Sequence, residues 1–371
     1  VYEGARSIVG PYLLTLGASA ALVGLVSGVG EFIGYGLRVV AGYAADRTRA
    51  YWVMTIGGYA LNVLAVPLLA LVGRVELAIA LLMAERLGKA IRVPSRDTLI
   101  SYASRPIGRG LAFGLHEALD QVGAVVGPLG LAAVLAARPG DYRTAFLLLA
   151  VPAGLTILAL VSARLRFPDP HAFERAARDQ AAADAAPPRP INRLFWRYAT
   201  FTVLAVAGFA PFPLIAYHLT VREVLAPAQV PVLFALAMAV DAGVALLTGR
   251  IYDRRGLAVL VAVPLVTAAS VAVFTTQPAI VWLGGVAWGA VMGIQESTLR
   301  AAVADLVSLE RRATGYGLFN ATYGLALLGG GAVMGLLYER GPAWVVAFIV
   351  VTEAVALIAF VGFLRRAERV R

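Results

Sequence analysis

Continuous apolar runs of about 20 residues recur along the whole chain. Each is long enough, as an α-helix, to cross a hydrocarbon core ~30 Å thick. The runs do not alternate polar and apolar positions, so the pattern predicts helices rather than a β-barrel. Twelve spans are predicted, at about 1–17, 20–44, 51–72, 75–95, 109–137, 143–164, 195–219, 228–250, 256–276, 279–303, 313–338 and 342–364. Most connections are very short. The long one, from Arg166 to Asn192, is rich in Ala, Pro and charge. It divides the chain into two six-helix units, 1–165 and 194–371, around a linker at 166–193. Within that linker a helical piece is expected around His171 to Ala183, broken by Pro187, Pro188 and Pro190. The chain opens at Val1 already inside apolar sequence, with no cleavable signal peptide, so the first span is expected to be incomplete.

Composition agrees with this pattern. The 371 residues are 60% hydrophobic and 15% charged, against about 25% charged in soluble domains. The fold class expected is an all-α polytopic membrane protein. The net charge of +10 is not a nucleic-acid footprint, because its distribution follows topology. Odd-to-even connections carry five arginines (Arg74, Arg138, Arg143, Arg222 and Arg340). Even-to-odd connections, linker and C-terminus carry twenty, among them Arg47, Arg105, Arg164, Arg254, Arg311 and Arg365. The positive-inside rule then places both termini and the linker in the cytoplasm, with anionic lipid of the inner leaflet as a neighbour. There are no cysteines, which excludes disulfides and thiol chemistry. The three histidines are His116, His171 and His218. They supply too few ligands to favour a metal carrier, and no cofactor is expected.

The two halves resemble each other. GYAADRTR at Gly42 recurs as GRIYDRRG at Gly249, DTLISYAS at Asp97 as STLRAAVA at Ser297, and FGLHEALD at Phe113 as YGLFNATY at Tyr316. The offsets of 207, 200 and 203 residues are near constant and in order, which implies two parallel six-helix repeats. A G-x-x-x-D-R motif after span 2, repeated after span 8, with twelve spans and a central linker, resembles the major facilitator superfamily. Gly42, Asp46, Arg47 and Arg49 stand where that family's signature stands, and Gly249, Asp253, Arg254 and Arg255 at its repeat. Arg49 replaces the usual glycine, whereas Gly256 follows the second copy. The resemblance implies a conformational latch at these residues. The local physics agrees, since a glycine permits close helix approach and an aspartate at a helix end pairs with arginine or a neighbouring N-terminus. In span 5, Gly114, Gly123, Gly127 and Pro128 are similar to the family's antiporter signature, which departs beyond the proline, where only Gly130 follows. The motif RLGKAIRVPSRD at Arg86 with GLHEALDQ at Gly114 also resembles a group of prokaryotic members, and that resemblance implies a prokaryotic inner membrane.

Charges inside spans are expensive and mark function or internal pairing. The first half carries six embedded cations (Arg6, Arg38, Arg86, Lys89, Arg92, Arg96) and six anions (Glu3, Glu31, Glu85, Asp97, Glu117, Asp120). That balance predicts a paired network inside the bundle. Glu85–Lys89 (i, i+4) and Arg96–Asp97 read as structural pairs. His116 and Asp120 share one face of span 5 with Gly123 and Gly127, beside a face holding Glu117 and Gln121. Asp120 lies 11 residues beyond Arg109, which is ~16 Å at 1.5 Å per residue, close to the midplane. The second half is quieter. It offers Asp241, Gln295 and Glu296, with Asn320 and Tyr323 matching Glu117 and Asp120 in the repeat, and Trp282 and Trp288 set either to line a cavity or to face lipid.

These features point to a secondary transporter working by alternating access, not an enzyme, expected to act as a monomer on a small-molecule substrate. Proton-coupled export (antiport) fits first. Asp120, Glu117 or Glu3 would carry the proton, and Arg86, Lys89 and Arg38 would tune it. The rival is a carrier for an anionic solute held by Arg86, Lys89 and Arg92. A membrane enzyme would need a polar catalytic loop at the surface, and a sensor would need a soluble output domain. Neither pattern is present.

Overall fold

The computed structural model describes residues 1–103, 109–168, 193–307 and 312–367. The part of the linker carrying the expected helix and proline break lies outside the described residues. All regular structure among the described residues is helical. The first six spans are Tyr2–Thr15, Ala20–Thr48, Tyr51–Leu68 with a 3-10 turn to Leu71, Val75–Ala103, Arg109–Ala137, and Tyr142–Leu148 continuing as Ala150–Arg166. Span 7 is broken into Arg193–Ala207 and Phe212–Val221. Span 8 is Gln229–Arg255, and span 9 runs from Gly256 to Phe274 as a helix, Ala262–Ser270, between two 3-10 segments. Span 10 is Pro278–Ile294, a π turn at Gln295–Leu299, and Arg300–Leu306. Span 11 is Arg312–Arg340, and span 12 is Pro342–Ala367.

Nine stretches among the described residues are both long and apolar enough to cross a membrane, and one of them, Gln229–Phe274, contains spans 8 and 9. The two spans outside this set are span 1, with 14 helical residues, and span 4, which carries Glu85, Arg86, Lys89, Arg92, Arg96 and Asp97. Both supply side chains to the charged interior.

Local chemistry sets the span ends. The Ser19 hydroxyl accepts the Leu22 amide at 3.3 Å and starts span 2. Asp141 does the same for Thr144 at 3.0 Å at the start of span 6. Arg49 ends span 2 in the left-handed region (φ 55°). Gly256 ends span 8 at φ 58°, ψ −141°, a conformation essentially confined to glycine. The arginine-rich ends of the spans define one face of the molecule, here called the basic end.

The halves meet along three seams. Span 2 packs on span 11, span 5 on span 8, and span 1 on the outer part of span 7. Contact is closest away from the basic end, where a Cβ at Gly10 would overlap the Pro213 carbonyl and one at Gly24 the Gly331 carbonyl. The second half is cored by aromatic rings. Trp288 stacks on Phe209 (centroids 5.1 Å apart) and donates its indole N–H to the Ala210 carbonyl at 2.8 Å, inside the break of span 7. Trp288 therefore neither lines a cavity nor faces lipid.

Candidate functional site

The first half is held by a chain of charges. Glu31 on span 2 receives Arg6 of span 1 at 3.2 Å and Arg86 of span 4 at 3.3 Å. Arg6 also reaches Glu3 at 3.8 Å. Arg86 also bonds Glu85 at 3.1 Å, and the Asn62 amide of span 3 donates to the Glu85 carboxylate at 2.7 Å and its carbonyl at 3.0 Å. Four spans are thus tied through one line of alternating charge. Removing a single member of such a buried pair strands its partner, at a cost of about 3–5 kcal/mol.

Next to this line is a cavity of about 170 Å³ between the halves. Its first-half wall carries Tyr2, Glu3, Arg38, Lys89, Arg92 and Asp120, and its second-half wall Asp241, Glu296 and Arg300. The Tyr2 hydroxyl donates to Asp120 at 2.9 Å. The Tyr2 ring lies under Lys89 (4.6 Å) and Arg92 (5.3 Å), and Arg92 also covers Tyr59 (4.3 Å). Arg38 covers Tyr35 at 4.5 Å and donates to the Gly34 carbonyl. Among the described residues no carboxylate forms an ion pair with Lys89, Arg92 or Arg38. Their positive charge rests on ring faces, an arrangement that holds a cation in place while leaving its donors directed elsewhere. Gln121 of span 5 donates to Asp241 of span 8 at 3.4 Å across the interface. The Tyr323 hydroxyl donates to Gln295 at 2.8 Å and its ring packs on Tyr35 at 5.0 Å. Gln295 opens the π turn, a feature often found at functional positions.

The expected residues distribute as follows. Glu3, Arg38, Lys89, Arg92, Asp120, Gln121, Asp241 and Glu296 line the cavity. Arg6, Glu31 and Arg86 lie behind it in the charge line. Arg96 and Asp97 pair at 2.7 Å, as expected. Glu85 turns to Arg86 and Asn62 instead of Lys89. That correction follows from the ring of Tyr2, which takes Lys89. His116 is half-buried and apart from the cavity lining, as is Asn320. The side chains of Glu117 and Asp46, and the surroundings of Gly114, lie outside the described residues. A Cβ added at Gly127 would lie 3.4 Å from the Gly4 backbone, so spans 1 and 5 approach closely here, with Pro128 buried beside it. A Cβ added at Gly42 would lie 3.6 Å from the Pro94 ring, whereas one at Gly249 would meet open space. Arg47 bonds Tyr43, and Arg49, Asp253, Arg254 and Arg255 are exposed.

Glu353 escaped the sequence reading. It is 2% exposed in span 12, and neither carboxyl oxygen has a hydrogen-bond partner among the described residues. It sits against Gly208, where span 7 breaks. The available signal was a lone carboxylate in the middle of an apolar span.

Twelve spans in two halves around a charged central cavity define a multi-pass membrane carrier. The model of the Major Facilitator Superfamily matches residues 3–326, and the chain belongs to that family. It is 45% identical over 359 residues to an uncharacterised protein of Mycobacterium tuberculosis, covering 96% of this chain and 88% of the relative. It is 27% identical over 345 residues to an uncharacterised MFS-type transporter of Methanocaldococcus jannaschii, covering 90% and 83%. Among solved structures it is similar to a variant of the nucleoside transporter NupG (TM-score 0.77, 14% identity, 98% of this chain and 96% of that one). It is also similar to a bacterial homologue of the human lysosomal transporter Spinster (TM-score 0.70, 16% identity, 98% and 95%). At these identities the structures speak for the fold alone.

Proposed function

We propose that this secondary transporter carries a small organic molecule with an acidic group, by proton-coupled alternating access, in a prokaryotic inner membrane. The observation that carries the reading is the set of three cavity-facing cations, Lys89, Arg92 and Arg38, held on tyrosine rings rather than on carboxylates. A ligand anion supplies the partner they lack, and bidentate donors such as Arg92 favour carboxylate or phosphate. Arg86 is not part of this set, because Glu31 and Glu85 occupy it. Asp120, exposed to the same cavity and bonded to Tyr2, is the proton carrier of the reading. A proton there and an anion on Lys89 each shift the two-state equilibrium by their differential affinity for its two ends. With the basic end in the cytoplasm, the cavity lies on the cytoplasmic side of the Gly10–Pro213 seal, as loading for export requires.

Thermal-shift screening of organic acids on the purified protein at two pH values identifies the ligand. Flux in proteoliposomes under an imposed pH gradient then tests coupling. Lys89→Gln is expected to lose the ligand shift. Asp120→Asn is expected to keep the shift and lose gradient-driven flux, and unchanged flux would sink the proton role. Because the chain has no cysteines, single-cysteine labelling at Arg47 and Arg222 with an impermeant reagent in intact cells reads the orientation directly.

A further inference from the structure

We infer that the transported molecule is a single-chain amphiphile, its acidic head in the polar cavity and its hydrocarbon tail in the seam between spans 5 and 8. This rests on the anion-binding reading above and extends it to the rest of the ligand. Beside the polar cavity lies an apolar cleft of about 720 Å³, lined by Val122, Val125, Val126, Ala242, Ala245 and Leu246. The two spaces share part of their walls. Gln121, Glu296 and Arg300 line both. The junction is therefore polar, and the space changes character across one layer of side chains. Spans 5 and 8 touch at Gln121 and Asp241, and alongside that contact Ala242 and Ala245 are too small to fill the gap.

The cleft is one-sided. Its repeat-related counterpart, the seam of spans 2 and 11, is closed backbone to backbone by Gly24, Gly28, Gly331 and Gly335. A compact polar solute needs only the smaller space and gains nothing from an apolar annex. A molecule with one acidic group and one alkyl chain fits both, since the chain gains wherever it leaves water and the head where it meets the cavity cations. A chain facing lipid through an open seam also reaches the bilayer without crossing the headgroup layer.

The test uses an alkyl phosphate carrying a photoactivatable diazirine near the end of its tail, with the full-length protein in phosphatidylcholine nanodiscs. Expected labelling falls on Val122, Val126 and Leu246, and excess methyl phosphate, which has the head and no tail, removes it. Labelling of the lipid-facing Leu155 and Leu158 of span 6 stays unchanged by the competitor. Ala242→Trp, which fills the cleft, is expected to lose cleft labelling while keeping the thermal shift with methyl phosphate. Cleft labelling that survives the competitor would mean bilayer lipid alone occupies the seam, and overturns the inference. So would labelling spread evenly over the lipid-facing surface. If methyl phosphate gives no thermal shift in the parent protein, and none that depends on Lys89, the anion-binding reading fails first. A methyl phosphate shift with no tail labelling leaves that reading standing and removes only the amphiphile.

Discussion

The seam of spans 2 and 11 and the seam of spans 5 and 8 occupy equivalent places in the two repeats, yet they are built oppositely. The first is a glycine zipper. Gly24, Gly28, Gly331 and Gly335 give up their side chains so that backbones touch. The second carries a polar contact, Gln121 to Asp241, with an apolar cleft beside it. Spans 5 and 8 carry glycines too, but Gly123 and Gly243 are exposed, line no part of the cleft, and have nothing within 4 Å of an added Cβ. The same residue type closes one seam and does no packing in the other. Repeat symmetry is thus a property of the chain path, and each seam has its own chemistry.

The largest expected effect comes from what holds the closed seam in place. Span 2 is gripped on one face by span 11 and on another through Glu31, which binds Arg6 and Arg86. Arg86→Met should leave Glu31 with Arg6 as its cation and Glu85 with the Asn62 amide alone, lowering stability by up to about 3–5 kcal/mol. A loss below 1 kcal/mol in denaturant titration would show that the charge line does not anchor span 2. Next comes the zipper itself. Gly24→Val places a side chain on the Gly331 carbonyl and should cost about 1–3 kcal/mol by overpacking. The matching change in the other seam reverses sign. Gly243→Ala meets no atom and should stabilise by roughly 0.5–1 kcal/mol through helix propensity. Equal losses at Gly24 and Gly243 would erase the contrast between the seams. The smallest effect is at the span ends. Arg49 holds a left-handed conformation at the position where the second repeat has Gly256, so Arg49→Gly should gain up to about 1 kcal/mol. Gly256→Arg should lose at least that, because its ψ of −141° lies outside the region a side chain tolerates.

Much of this was legible in the sequence, for physical reasons that differ by feature. Span positions follow from the bilayer thickness, so the apolar runs report them directly. That many embedded charges pair internally, as Glu31 does with Arg6 and Arg86, followed from charge balance. The choice of partner did not follow. Glu85 and Lys89 sit one turn apart, but Asn62 and Arg86 take the carboxylate, and Tyr2, distant in sequence, takes the ammonium. Cation–ring contacts carry no charge signature, which is why Lys89 and Arg38 read first as tuning groups, and Lys89 and Arg92 as anion ligands only in the rival reading. The break in span 7 and the π turn at Gln295 were equally silent. Pro211 and Pro213 hint at the first, and tertiary packing decides the second. Glu353 was passed over because no charged neighbour drew attention to it.

The break at Gly208 to Pro211 has a mechanical consequence. The outer piece of span 7 meets the first half at Gly10, while the inner piece buries its Tyr198 and Phe201 against Phe319, Phe360 and Phe363 of the second half. Between them the chain has no continuous helical hydrogen-bond ladder, and Trp288 grips the Ala210 carbonyl from the side. The two pieces form a jointed lever with a bearing at its pivot. The outer piece also packs Phe212 on Phe234 and Trp288 in the second half, so it is a wedge held by both halves and hinged to the inner piece through four residues.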